Sequence, residues 1–248
     1  MKVIYILWLR QIKRYFRSKA RIVGSLGQPL LFLVALGFGM GQIYQKAGEG
    51  SYIQFLTPGI ISMGILFTAL FSGIEIIWDR KFGFLKEILV APASRLEIMI
   101  GRTLGGATVA LLQGILILLL SLLVGFRPQG FLEFIYSFTF MFLIALLFTA
   151  IGTAIASLLE DMQGFQLIMN FLIMPLFFLS GAIFPLNGLP KALDVLTRIN
   201  PLSYGVDGLR GVLTGNAYFG LPTDLLVLSF STLLVLAVGS YLFSKIRI

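Results

Sequence analysis

The sequence predicts an all-α polytopic membrane protein with six transmembrane helices, and three observations carry that reading. Of the 248 residues, 58% are hydrophobic and 12% charged, about half the charge of a typical soluble domain. Six apolar runs come close to or exceed the ~20 residues a helix needs to cross a hydrocarbon core: 22–43, 55–77, 104–124, 132–158, 165–184 and 225–243. None of them has the ten-residue alternation of a barrel strand, and a helix satisfies its own backbone polar groups in lipid. The chain reads as one transmembrane domain, 1–248, with three special segments at 1–21, 79–102 and 185–221.

The first segment, 1–21, is amphipathic at helical spacing. Arg10, Lys13, Arg14, Arg17 and Arg21 share one side of the wheel, and Trp8, Ile12, Tyr15 and Phe16 the other. This pattern predicts a helix lying in the membrane interface. The run 22–43 is too long for the roughly 7–15-residue core of a signal peptide, and no small-residue cleavage site follows it. It reads as a retained span.

The second span, 55–77, carries Glu75, the one acid well inside a predicted span. Intramembrane acids are functional candidates. Glu75 also sits about one helical turn from Asp79 and Arg80, so pairing with Arg80 or Lys81 is the structural alternative to a coupling or gating role.

Next comes the most polar stretch of the chain, "DRKFGFLKEILVAPASRLEIMIGR", 79–102. Phe82, Leu85, Ile88 and Leu89 recur at helical spacing, Lys81, Lys86 and Glu87 fall elsewhere on the wheel, and Pro92 ends the helix. Ser94 and Glu97 form a capping box, so a new helix starts there and runs into the third span. From the residues alone, the short helix is either a docking element or a surface loop.

Spans three and four follow, then a fifth with neutral polar residues at Gln166 and Asn170, which in spans more often bond between helices than bind ligands. Segment 185–221 is too apolar for an ordinary loop. Pro190 starts one short helix, with Ala192, Leu193, Leu196 and Ile199 on a face. Asn200 and Pro201 cap and begin a second helix that stops near Gly215. Together they predict a re-entrant hairpin in the outer leaflet.

Charge sets the orientation. With six spans, fourteen Lys and Arg residues fall on the side of both termini and of 79–102. Five fall on the other: Lys46, Arg127, Lys191, Arg198 and Arg210. Both termini are therefore expected in the cytoplasm, with residues 185–221 external. The net charge of +8 is explained by topology, with no nucleic acid among the expected partners.

Chemistry in this chain is restricted. It has no His and no Cys, which removes Ser-His hydrolysis, thiol chemistry and the commonest metal ligands. It has no G-x-x-x-x-G-K-[ST] phosphate loop. Every Asp lies at a span end or in a loop, so paired intramembrane Asp residues are not expected. No catalytic, cofactor-binding or metal site is expected, and the chain is read as no enzyme.

At this point the order of parts resembles the type-2 permeases of ABC exporters. The motifs that carry the resemblance are the 79–102 stretch, "FLSGAIFPLNGLP" and "NPLSYGVDGLRGVLTG", and it covers nearly the whole chain. It implies a half-transporter of the bacterial or archaeal drug/lipid type in the cell (plasma) membrane. It further implies a second permease copy, forming a homodimer or alternatively a heterodimer, and a separate ATPase subunit that brings ATP and Mg. The loop helix becomes a coupling helix, which assigns ATPase docking to Arg80, Lys81, Phe82, Gly83, Leu85, Lys86, Glu87 and Leu89. The hairpin matches the family's extracellular re-entrant pair.

The uncharged, Phe- and Leu-rich spans favour an amphipathic or lipophilic substrate, with membrane lipid around it. Spans one, two and five are expected to line the path, including Gln166 and Asn170. The competing readings are a stand-alone ion-coupled transporter using Glu75 and a membrane scaffold protein.

Overall fold

A computed structural model describes residues 2–46, 50–84, 87–88 and 94–244. Among these, every regular element is a helix: α1 (Lys2–Arg17), α2 (Lys19–Gly39), α3 (Gly41–Lys46), α4 (Tyr52–Ser72), α5 (Ile74–Lys81), α6 (Arg95–Val124), α7 (Phe131–Leu158), α8 (Met162–Phe178), α9 (Lys191–Ile199), α10 (Pro201–Thr214) and α11 (Leu221–Ser244). The Leu85, Lys86, Leu89 and Pro92 of the expected docking helix lie outside the described residues, as do Lys245 and Arg247.

Among the described residues, five helices are long and apolar enough to cross a membrane: Lys19–Gly39, Tyr52–Lys81, Arg95–Val124, Phe131–Leu158 and Leu221–Phe243. The run expected as a fifth span behaves differently. Its helix, α8, has 17 residues, about 25 Å at 1.5 Å per residue, against a core of about 30 Å. Pro175 lies in its last turn and Gly181 adopts a left-handed φ of 74°. The helix therefore stops at Phe178, and the expected run 165–184 divides into a helix and a buried turn.

The core is built around the Tyr52–Lys81 helix pair. Of its most apolar stretch, 72% is buried, against 17% for α2 and for α11. α4 packs against α2, α6, α7, α8 and α10. Close approach depends on small residues. A Cβ on Gly73, where α4 passes into α5, would strike the carbonyl oxygen of Gly152 on α7, and a Cβ on Gly152 would strike that of Leu70. Backbones meet there because no side chain separates them.

α1 packs along the first half of α6, burying Leu7, Gln11 and Tyr15, while Phe16, expected on the apolar side, is exposed. The buried stripe runs i, i+4, i+8 and meets a small-xxx-small face: a Cβ on Gly101 would lie 3.0 Å from the Ile4 Cα, and one on Gly105 2.6 Å from the Gln11 Cγ. The Trp8 Nε1–H donates to Thr108 Oγ1 at 3.0 Å, and the Tyr15 hydroxyl to Gln113 Oε1 at 3.0 Å. Burial pushes the Tyr15 phenol above its ordinary pKa, against a smaller opposing pull from Arg21, which keeps it a donor.

Candidate functional site: a clamped loop between α5 and α6

The polar stretch 79–102 is tied shut at its base. Its first and last residues form an ion pair: Arg102 Nη2 donates to Asp79 Oδ2 at 2.6 Å, with both side chains buried. Arg10 of α1 closes on the same carboxylate from the other side, with Nη2 to Oδ1 at 2.6 Å and Nη1 to Oδ2 at 3.0 Å. This two-toothed grip matches the planar fork of guanidinium to carboxylate. Asp79 thus holds the C-terminal turn of α5, the N-terminal part of α6 and α1 in one arrangement. Arg10 also lies over the Phe84 ring, 4.1 Å from its centroid, so α1 touches the loop beyond its base.

Asp79 was read from the sequence only as a boundary charge. The clue was Arg102: a cation about two turns inside an apolar helix requires a counter-ion within reach.

Glu75 is buried and paired, with partners other than those expected. Arg14 Nη1 lies 3.5 Å from its Oε2 and Arg21 Nη1 3.4 Å from its Oε1. Arg80 points away from it. Its guanidinium donates to the carbonyls of Ser157 (3.0 Å) and Leu159 (3.1 Å), occupying the unpaired C-terminal acceptors of α7. A helix wheel gives neighbours along one chain segment, whereas these partners come from α1, α2 and the end of α7.

The remaining loop residues are placed as follows. Lys81 and Phe82 are exposed, Phe82 at 70%, and the Phe82 ring contacts Trp78 at 5.7 Å between centroids. Gly83 has φ 78°, a conformation that side chains oppose, so it makes the turn that ends α5. Glu87 is exposed. The expected capping box is formed: Glu97 N donates to Ser94 Oγ at 3.1 Å, and Ser94 N to Glu97 Oε2 at 3.2 Å. Beside the loop, a cleft of about 600 Å³ runs between Arg80 and Lys81 and the turn at Glu160–Gln163.

A cavity of about 300 Å³ lies between α1, α2 and α4. Gln28, Pro29, Met63, Phe67 and Phe71 line it, with Arg21 at one end. Gln166 and Asn170 do not reach it; they are exposed on the uncovered face of α8, beside Leu167 and Phe171.

At the opposite end, α10 is buried almost throughout. Asn200 caps it, its Oδ1 accepting from Leu202 N at 3.0 Å, and Gly215 ends it with φ 76°. Gly205 fits against Ile144 and Gly208 against Phe140 of α7. The face of α9 carrying Leu193, Leu196 and Ile199 is exposed.

Residues 2–214 match the family model described as ABC-2 type transporter. A putative transport permease, ycf38, of Cyanophora paradoxa is 30% identical over 260 residues, covering 98% of this chain and 88% of that protein. Nodulation protein J of Rhizobium leguminosarum bv. trifolii is 29% identical, covering 86% and 79%. The inner membrane transport permease YadH of Escherichia coli (strain K12) is 27% identical, covering 95% and 90%. With a match across most of its length, the chain belongs to the ABC-2 type transporter family, as a membrane protein of the permease kind rather than an enzyme.

Proposed function

We propose that this chain is the membrane-spanning subunit of an ATP-driven exporter in the plasma membrane, and that the loop 79–102 receives a separate ATPase subunit. The observation that carries this reading is the closed base of the loop. A surface loop needs no buried three-residue clamp, whereas an element that passes force to α1, α5 and α6 needs a rigid root. Phe82 and Lys81 lie outward from that root, next to the Arg80–Gln163 cleft. Docking extends over Arg80, Lys81, Phe82, Gly83, Leu85, Lys86, Glu87 and Leu89, with Phe82 as the apolar anchor. Full burial of such a ring gains about 1.5–3 kcal/mol. ATP and Mg belong to the partner.

The working unit is a dimer of two permease copies, in which α8 completes a sixth crossing. Gln166 and Asn170 support this, because polar side chains on the open face of an apolar helix favour a neighbouring helix over lipid. The termini and loop 79–102 face the cytoplasm, and α9 and α10 form the external hairpin. The apolar cavity with a single cationic end between α1, α2 and α4 favours an amphipathic or lipophilic cargo. A stand-alone ion-coupled mechanism wants a free acid, and Glu75 is engaged by two arginines.

The test is co-purification of the chain with an ATP-hydrolysing subunit, then reconstitution in liposomes. ATPase activity is expected to rise with lipophilic amphiphiles. A response confined to small hydrophilic solutes, or no ATPase partner at all, overturns the reading.

A further inference from the structure

A larger cleft opens at the end of the bundle opposite the loop 79–102. It encloses about 820 Å³ between the N-terminus of α4, the α6–α7 connection, the turn at 185–187 and the end of α10 with the loop after it. Small-molecule sites run to about 300–1,000 Å³.

The charges in its wall are unevenly matched. Arg210 lines the cleft and is 6% exposed. Its Nη2 donates to the Gly181 carbonyl at 2.8 Å and its Nε to the Phe55 carbonyl at 3.3 Å, and it lies 4.1 Å from the centroid of the Phe55 ring. Those partners are neutral. Buried charges are normally paired, yet among the described residues no carboxylate forms an ion pair with Arg210. The acid that shares the wall, Asp207, is occupied by the backbone: its oxygens accept from Tyr218 N at 2.8 Å and Phe219 N at 2.7 Å. Arg127 adds a second, exposed guanidinium, whose Nη1 donates only to the carbonyls of Leu122 (3.2 Å) and Phe126 (3.3 Å). Two guanidiniums against one carboxylate leave the described wall net positive.

The backbone adds to this. Gly50 and Ser51 line the cleft, and Ser51, the N-cap of the 21-residue α4, makes no side-chain cap hydrogen bond. The positive end of a long helix therefore stands at the cleft without a capping side chain, and helix N-termini favour anions. The end of α10, which would repel an anion, is covered: Gln129 N donates to the Leu213 carbonyl at 3.0 Å and Gln129 Nε2 to that of Thr214 at 2.9 Å. The walls are also tied together. With its amide turned to suit, Gln54 of α4 donates to the Arg127 carbonyl at 3.0 Å and accepts from the Arg127 N–H at 2.9 Å. Binding to a preformed site avoids the cost of ordering it.

Size and lining narrow the ligand. A bare phosphate ion would leave most of the cleft empty, and the wall beyond the arginines carries the amides of Asn187 and Asn216 and the hydroxyls of Ser51 and Tyr218. Guanidinium forks match phosphate oxygens, and amides and hydroxyls match hydroxyl groups. We propose that this cleft binds a hydroxyl-bearing phosphate ester of the glycerol phosphate kind, with Arg210 and Arg127 on the phosphate. That chemistry is offered both by a free ester in solution and by the headgroup of a phospholipid such as phosphatidylglycerol. The site is separate from the loop 79–102 and does not depend on ATPase docking.

Thiol labelling reports whether the cleft is filled. The chain has no Cys, so Ala217→Cys places a single thiol at an exposed position of the wall. The full chain carrying it is reconstituted in phosphatidylcholine nanodiscs, and its rate of reaction with a fluorescent maleimide is measured against glycerol 3-phosphate at constant ionic strength. Glycerol is the uncharged control, and phosphatidylglycerol nanodiscs form the lipid arm. The expected result is a several-fold, saturable slowing by the soluble ester, or the same slowing in phosphatidylglycerol discs alone, which makes the ligand a lipid headgroup; glycerol gives none. Arg127→Gln, at an exposed position, should weaken the protection by about tenfold, as loss of a charge-assisted hydrogen bond does, and Arg210→Gln should weaken it further. Unhindered labelling in both arms, equal protection by glycerol, or full protection in Arg127→Gln overturns the proposal. Glu49 precedes Gly50 in the sequence and lies outside the described residues; protection that appears only after Glu49→Gln also overturns it, since the chain would then supply its own anion.

Discussion

The two ends of the molecule bury their acids in opposite ways. At the α5–α6 end, each buried acid has two arginines: Asp79 with Arg10 and Arg102, Glu75 with Arg14 and Arg21. At the α10–α11 end, Asp207 accepts from the backbone N–H groups of Tyr218 and Phe219, and the buried Arg210 donates to backbone carbonyls. The first arrangement binds separate helices by fixed charges. The second holds an acid by backbone N–H groups of the loop between α10 and α11. The difference teaches that burial alone does not say what an acid does; its neighbours decide between a strut across helices and a local backbone anchor.

The largest expected effect is on the strut. Asp79→Ala leaves Arg102 buried without a counter-ion, which costs about 3–5 kcal/mol, and a steep fall in unfolding temperature or loss of folded chain from detergent extracts is expected. The double variant Asp79→Leu/Arg102→Leu, which removes both charges, should recover most of that loss, and thermal unfolding of the three proteins measures it. No recovery would mean that Arg10, or the shape of the carboxylate, dominates.

Next in size is the seat of α1. Gly105→Leu pushes against Gln11 and Trp8, and overpacking costs about 1–3 kcal/mol. Because the chain has no Cys, a Trp8→Cys/Thr108→Cys pair can be cross-linked without background. Cross-linking should be efficient in the parent and weak when Gly105→Leu is added.

Much of this was legible in the sequence. The long apolar runs gave α2, α4, α6, α7 and α11. Ser94 with Glu97 gave the start of α6, and Asn200–Pro201 with Gly215 gave both ends of α10, because caps are local chemistry. What was not legible is what covers each face. Amphipathicity said that α1 has an apolar side, and only Gly101 and Gly105 on α6 say what meets it. The last span is expected from residue 225, whereas α11 starts at Leu221 and carries Asp224 into its first turn, still at a span end.

The smallest expected effects separate the remaining charges. Glu75→Gln loosens two partly exposed pairs and should cost about 1 kcal/mol or less. Transport that keeps its pH dependence in Glu75→Gln fits the strut, and its loss would restore Glu75 as a coupling group. Asp194→Ala, which removes the exposed pair with Arg198, should leave the unfolding temperature unchanged.

The most direct measurement on the clamped loop is recovery of the ATPase subunit by Phe82→Asp. Phe82 is exposed and outside the Asp79 clamp, so membrane insertion and unfolding temperature should match the parent. The expected result is a parent-like amount of permease in the membrane fraction with little ATPase bound and no export. Full ATPase recovery with normal export would contradict the docking role of the loop and leave it a surface connection between α5 and α6.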